Sequence, residues 1–104
     1  MKRHIAILGS TGSIGTQALQ VISEHPDLFT VEVLTAQSNA NLLIEQARTF
    51  VPNVVVIGDD VHYERVKSSL SDLPIKVDLV DWHDISVEFQ QLILKNYQVI
   101  QEGE

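Results

Sequence analysis

The sequence contains no cysteine, and that absence removes three chemistries together: a disulfide framework, a thiolate metal site and a cysteine nucleophile. It is compatible with a reducing cytoplasm, which is the compartment expected for this chain. No apolar run is long enough to cross a membrane. The short run at residues 5–8, behind Lys2 and Arg3, is also too short for a secretory signal, so no membrane partner is expected. Basic residues are scarce: seven stand against fourteen acidic ones, for a formal charge of −7 with no basic block. Such a chain repels a phosphate backbone, and nucleic acid is excluded as a general partner. There is no internal repeat and no low-complexity segment.

What is present is an ordinary globular composition, 44% apolar and 20% charged over 104 residues, enough for one domain with its own core. The hydrophobic period alternates along the chain. Residues 4–8 read as a strand ended by Gly9, and Ile14, Ala18, Val21 and Ile22 fall on one helical face that Pro26 closes. Residues 30–36 (TVEVLTA) are a second strand, and Leu43, Ala47, Phe50 and Val51 mark a second helix face before Pro52. Residues 53–57 (NVVVI) are a third strand ended by Gly58; Asp60 is the expected cap of a third helix carrying Tyr63, Val66 and Leu70. A fourth strand at 75–80, a turn at 81–84, a helix from about Ser86 with Phe89, Leu92 and Ile93 inward, and a short strand at 97–100 complete the pattern. The polar tail, 101–104, is expected to fray. Strands alternating with helices of this length imply parallel pairing and right-handed crossovers. The fold class is therefore α/β: a three-layer, Rossmann-like domain with a mostly parallel sheet of about five strands, ordered around the first strand.

The densest motif is ILGSTGSIGTQAL, residues 7–19, with glycines at 9, 12 and 15. Gly9 can turn tightly off the strand, Gly12 can let backbone approach a phosphate, and Gly15 can bring the helix close. Ser10, Thr11 and Ser13 add hydroxyl donors, and the helix start adds partial positive charge. The spacing G-x-x-G-x-x-G is a relative of the dinucleotide fingerprint rather than a match to it. Its setting, after a strand and opening a helix, fits nucleotide binding; a tight strand-to-helix turn without a ligand is the alternative.

The end of the second strand distinguishes the cofactors. A carboxylate there holds the ribose 2′-hydroxyl of NAD and repels the extra phosphate of NADP. Residues 36–41, Ala-Gln-Ser-Asn-Ala-Asn, contain no acid, and Ser38 and Asn39 are neutral donors. They suit a 2′-phosphate, although Asn39 or Asn41 can equally serve as the cap of the second helix.

ILGSTGSIGTQAL, LTAQSNANLLIEQA and VVVIGDD together resemble the N-terminal NADPH-binding region of the 1-deoxy-D-xylulose 5-phosphate reductoisomerase family, enzymes of isoprenoid biosynthesis. The resemblance covers about residues 1–76. It implies that Thr11, Gly12, Ser13 and Ile14 touch NADPH, with Gly9, Ser10 and Gly15 in the same turn, and that Gln37, Ser38 and Asn39 form the 2′-phosphate loop. That loop often reads Ala-Gly-x-Asn in the family; here Gln37 replaces the glycine, and Ser38 stands where some members have lysine. Nothing corresponds to the family's Asn-Lys-Glu segment, its metal-binding acids or its later helical domain. No catalytic or metal-binding residue is therefore assigned, and the expectation is a dinucleotide-binding domain that does not turn substrate over by itself.

Residues 71–104 resemble the last strand, helix and short strand of minimal, antitoxin-like nucleotidyltransferases. That resemblance implies a metal-binding role for Asp78, but the Asp-x-Asp pair it needs is missing. The two resemblances suggest a junction near residues 71–77, natural or engineered, within a single domain spanning 1–104. They leave two alternatives to the NADPH-binding domain: a chimeric or designed nucleotide-binding domain, and a non-catalytic, nucleotidyltransferase-like partner protein. Asp81, His83 and Asp84 read as a solvated turn rather than a metal site, Trp82 as a cover for the core edge, and an exposed sheet edge as the candidate contact of a homodimer.

Overall fold

The computed structural model describes residues 2–80, 91–92 and 95–101. Among these residues the chain runs through β1 (Arg3–Leu8), α1 (Ser13–Glu24), β2 (Phe29–Ala36), α2 (Ala40–Phe50), β3 (Val54–Ile57), α3 (Asp60–Ser69), β4 (Lys76–Leu79) and β5 (Gln98–Gln101). Its strands build one parallel sheet in the order β4-β3-β2-β1-β5. The strands stand where the alternating pattern predicts them, within a residue or so at each end. The chain steps outward from β1 to β4 and then returns to β1's free side, so the order reverses at β1, as in doubly wound sheets. Both β4 and β5 lie in the same sheet as β1–β3, so residues on either side of 71–77 share one architecture.

The three crossover helices cover one face. Their buried side chains, Leu19 and Ile22, Leu43 and Ala47, and Val66, meet Ile5, Ile7, Val31, Leu34, Ala36, Val55 and Ile57 of the strands in one cluster. Ala6 and Val33 are buried on the other face, against Val54, Tyr97 and Val99. The helix predicted from Ser86 falls largely at 81–90 and 93–94, which lie outside the described residues, as do the turn at 81–84 and Trp82. Gln91 and Leu92 are helical; Leu92, predicted to face inward, is 56% exposed.

Three local predictions are corrected. On α1 the buried stripe is Gly15, Leu19 and Ile22, while Ile14 and Val21 are 46% and 52% exposed. The stripe is rotated because Gly15 must face the turn before the helix. On α2, Val51 is not on the buried face: it is the C-cap, exposed and left-handed at φ 44°. That conformation is unfavourable for a β-branched residue. The cap of α3 is Asp59, whose carboxylate accepts from the Val61 N–H at 2.9 Å, and Asp60 is the first helical residue.

The alternating run of β2 also hides a bulge. The pairing with β1 slips between Ile5 and Ala6, so that Val33 rather than Glu32 lies opposite Ala6. Glu32 is buried there, and its carboxylate accepts from Asn53 Nδ2 and lies 2.9 Å from His4 Nδ1. A buried acid is tolerated because it is satisfied on both oxygens.

Candidate functional site: the glycine turn and the loop beside it

Leu8 pairs with Thr35 in the last rung between β1 and β2. The two segments that continue from this rung are the two stretches singled out in the sequence: Gly9–Gly15 after β1, and Gln37–Asn39 after β2. They therefore emerge side by side at the carboxyl edge of the sheet, the edge at which open parallel sheets bind ligands.

The turn is held mainly by Thr35. Its hydroxyl accepts the Gly9 N–H at 2.9 Å; its carbonyl accepts the Ser10 N–H at 2.8 Å and the Ser10 hydroxyl at 3.3 Å. The Gly12 N–H closes the turn on the Gly9 carbonyl at 3.1 Å. Gly9 has φ 79°, a conformation that suits glycine and strains other residues. Ser10 is fully buried, so its contribution is to the shape of the turn. Thr11 and Gly12 are partly exposed, and Ser13 and Ile14 are exposed at the surface.

Gly15 is required by packing. A Cβ built there would stand 2.5 Å from the Gly9 carbonyl oxygen and 2.7 Å from Ser10 Cα, both backbone atoms that cannot rotate away. The close approach is thus to the turn itself, just beyond the strand end. Gly12 is the N-cap of α1 in extended conformation and makes no side-chain cap bond. The start of a twelve-residue helix, with its positive dipole end, therefore opens directly behind a glycine.

In the neighbouring loop, Asn39 caps α2, its Oδ1 accepting the Leu42 N–H at 3.3 Å. The oxygen is used in the cap, and the NH2 end of the same amide is a donor. Asn41 takes no part in the cap: its Oδ1 accepts from Arg65 Nη2, which brings a guanidinium from α3 to the first turn of α2. Gln37 lies across to Gly58, donating to its carbonyl at 3.5 Å. Together with Asp59, Asp60 and Leu79 they line an open cleft of about 400 Å3 at the carboxyl ends of β2, β3 and β4. Its two carboxylates suit hydrogen-bond donors rather than phosphate.

Three residues of this arrangement were not among the sequence candidates: Arg65, which carries no local signal, Thr35 and Gln46. Thr35 carries no signal beyond being a hydroxyl at a strand end. Gln46 does carry one, since it sits beside Leu43 and Ala47 on the apolar stripe of α2, and a polar residue on a buried face needs a partner. Gln46 is 7% exposed and its Nε2 donates to the Ser10 carbonyl at 2.9 Å.

Compared with known proteins, residues 5–89 match the family model of 1-deoxy-D-xylulose 5-phosphate reductoisomerase. The chain belongs to that family. The reductoisomerase of Phocaeicola vulgatus is 64% identical over 77 residues, and that of Bacteroides thetaiotaomicron 64% over 76. These stretches are 74% and 73% of this chain but 20% of each relative, so the chain spans about a fifth of the reductoisomerases it matches, in their N-terminal part. Among solved structures, the reductoisomerase of Zymomonas mobilis in complex with NADPH is similar at TM-score 0.73 and 30% identity, over 77% of this chain and 21% of that one. A reductoisomerase in complex with NADPH, fosmidomycin and magnesium is similar at TM-score 0.71 and 30% identity, over 76% of this chain and 20% of that one. The reductoisomerase match passes through residues 71–77, where the sequence suggested a junction, and runs on to 89. The nucleotidyltransferase resemblance of residues 71–104 gains no support from these relatives.

Proposed function

We propose that the chain is the NADPH-binding domain of a reductoisomerase, and that 1–104 forms a single Rossmann-like unit. The observation that carries this reading is the rung Leu8–Thr35, which sets the glycine turn beside an acid-free loop. In this reading Thr11, Gly12, Ser13 and Ile14 meet the pyrophosphate at the start of α1, while Gly9, Ser10 and Gly15 shape the turn that presents them. Ser38 and the Asn39 NH2 group donate to the 2′-phosphate, and Gln37 borders the adenosine side of the cleft. Arg65 supplies the positive charge that the loop itself lacks, since Ser38 stands where some members of the family carry lysine. NADPH, when bound, supplies a hydride; these residues bind and orient it.

The donor set fits such a group. The start of α1 offers the positive end of its dipole to a phosphate, and no carboxylate lies within 36–41 to repel a second one. Partners are accordingly a dinucleotide and, at the edge strands β4 and β5, a second copy of the chain. The cysteine-free sequence suits the cytoplasm.

Calorimetric titration of the chain with NADPH, NADH and ATP, repeated on Gly12→Val, tests the reading. NADPH is expected to bind more tightly than NADH, and the substitution is expected to abolish binding by filling the approach to the pyrophosphate. Absence of binding to all three nucleotides would reject the cofactor role and leave the turn a purely structural one.

A further inference from the structure

The turn Gly9–Gly12 is a four-residue β-turn whose central peptide joins Ser10 to Thr11. Such a turn has two forms that differ by a half-rotation of that peptide, and the rotated form needs positive φ at its third residue. Among the described non-glycine residues only Val51 has positive φ, so Thr11 is in the unrotated form. The Ser10 carbonyl then points into the protein, where Gln46 Nε2 donates to it at 2.9 Å. A trans peptide is planar, with its N–H opposed to its carbonyl. The Thr11 N–H therefore points away from Gln46 and α2.

Gln46 is an unusual residue for this place. It is 7% exposed, and its Oε1 is buried without a hydrogen-bond partner among the described residues. Turning the amide over would set that oxygen against the Ser10 carbonyl, acceptor to acceptor, so the orientation is dictated by the turn. An apolar side chain would avoid an unsatisfied buried acceptor, whereas only a donor can hold the Ser10 carbonyl inward.

We propose that Gln46 is a positioning residue for the cofactor turn: by holding the Ser10 carbonyl inward, it keeps the Thr11 N–H directed at the pyrophosphate. The ligand in this statement rests on the function proposed above; the orientation of the peptide does not. Thr11 supports the same form, since a β-branched side chain disfavours positive φ. Rotation of the peptide would replace an N–H facing the phosphate with a carbonyl oxygen.

The test uses the full chain with Gln46→Met, which keeps length and removes the donor, and Gln46→Glu, which keeps shape and replaces the donor with an acceptor. Two readouts are taken. One is the amide-to-α-proton coupling of Thr11 by NMR without ligand, which reports its φ. The other is affinity for NADP+ and for adenosine 2′-monophosphate, which has the 2′-phosphate but no pyrophosphate. The Thr11 coupling is expected to move in both variants, and NADP+ affinity to fall about tenfold, the loss of one well-placed donor. Affinity for adenosine 2′-monophosphate should stay within about twofold. Should the buried carboxylate of Gln46→Glu prevent folding, Gln46→Met gives the decision alone. An unmoved Thr11 coupling, or equal losses for both ligands, would overturn the proposal and leave Gln46 a packing residue. If the unsubstituted chain binds neither ligand, the cofactor function fails, while the Thr11 coupling still decides the role of Gln46.

Discussion

At the scale of single residues, the site depends on two glycines that do different work. Gly9 is needed for its own backbone, at φ 79°; Gly15 is needed for the space it leaves to another backbone. Gly15→Ala places a methyl 2.5 Å from the Gly9 carbonyl oxygen, and relief requires the helix and the turn to separate. The expected cost is about 1–3 kcal/mol, the range for overpacking, measured as a shift in the urea midpoint at unchanged slope. Nucleotide binding should weaken in parallel, because the same separation moves the start of α1. Alanine is a better helix former than glycine. A stability gain from Gly15→Ala would therefore show that the close approach does not exist in solution.

At the scale of elements, α2 connects the site to the rest of the fold. Its first turn is capped by Asn39, its middle reaches the glycine turn through Gln46, and its end is tied to α3 by Arg48. Arg48 Nη1 and Nη2 each donate to the Asp72 carboxylate at 2.9 Å, and Nη1 also donates to the Ser69 carbonyl at 3.0 Å. This hydrogen bonding holds the Asp72 carboxyl below the ordinary carboxylate range and raises the guanidinium further. A carboxyl whose pKa is lowered by folding stabilises the fold above its unfolded pKa, and that contribution disappears as pH falls through the folded value. Asp72→Asn should therefore lower the melting temperature at neutral pH, with the difference from the unsubstituted chain closing once pH falls below the carboxylate range. High salt should narrow the same gap, because the pair is exposed.

At the scale of the molecule, the proposed selectivity depends on residues that only the fold brings together. Arg65 is 24 positions from Asn41 in sequence, and the packing of α3 beside α2 delivers it to the start of α2. Arg65→Ala is expected to weaken NADP+ binding by about tenfold, as loss of a charge-assisted contact to phosphate does, while NAD+ affinity changes little. Parallel titrations with the two nucleotides measure it. An equal loss for both would place Arg65 outside the 2′-phosphate site.

Much of this was legible in the chain by itself. The strand positions, the parallel α/β class and the glycine turn all follow from local period and local backbone need: β-rich runs, helical spacing and prolines act within a few residues of where they stand. Resemblance in ILGSTGSIGTQAL was enough to indicate the reductoisomerase family that the comparisons establish. The phase of the buried stripe on α1 was not legible, because Ile14 and Val21 are as apolar as the residues that are buried, and the need of Gly15 to face the turn decides between them. Asn39 and Asn41 looked interchangeable as caps until α3 supplied Arg65 to one of them. Nor was the bulge at Glu32 legible, since a register slip depends on the partner strand. The sequence alone therefore determined which segments are strands and helices and which turn binds closely to backbone, because those are short-range properties. Only the tertiary structure decided that Thr35 and Gln46 hold that turn, because each acts across at least 25 residues through contacts that exist once the sheet is paired and α2 is packed on it.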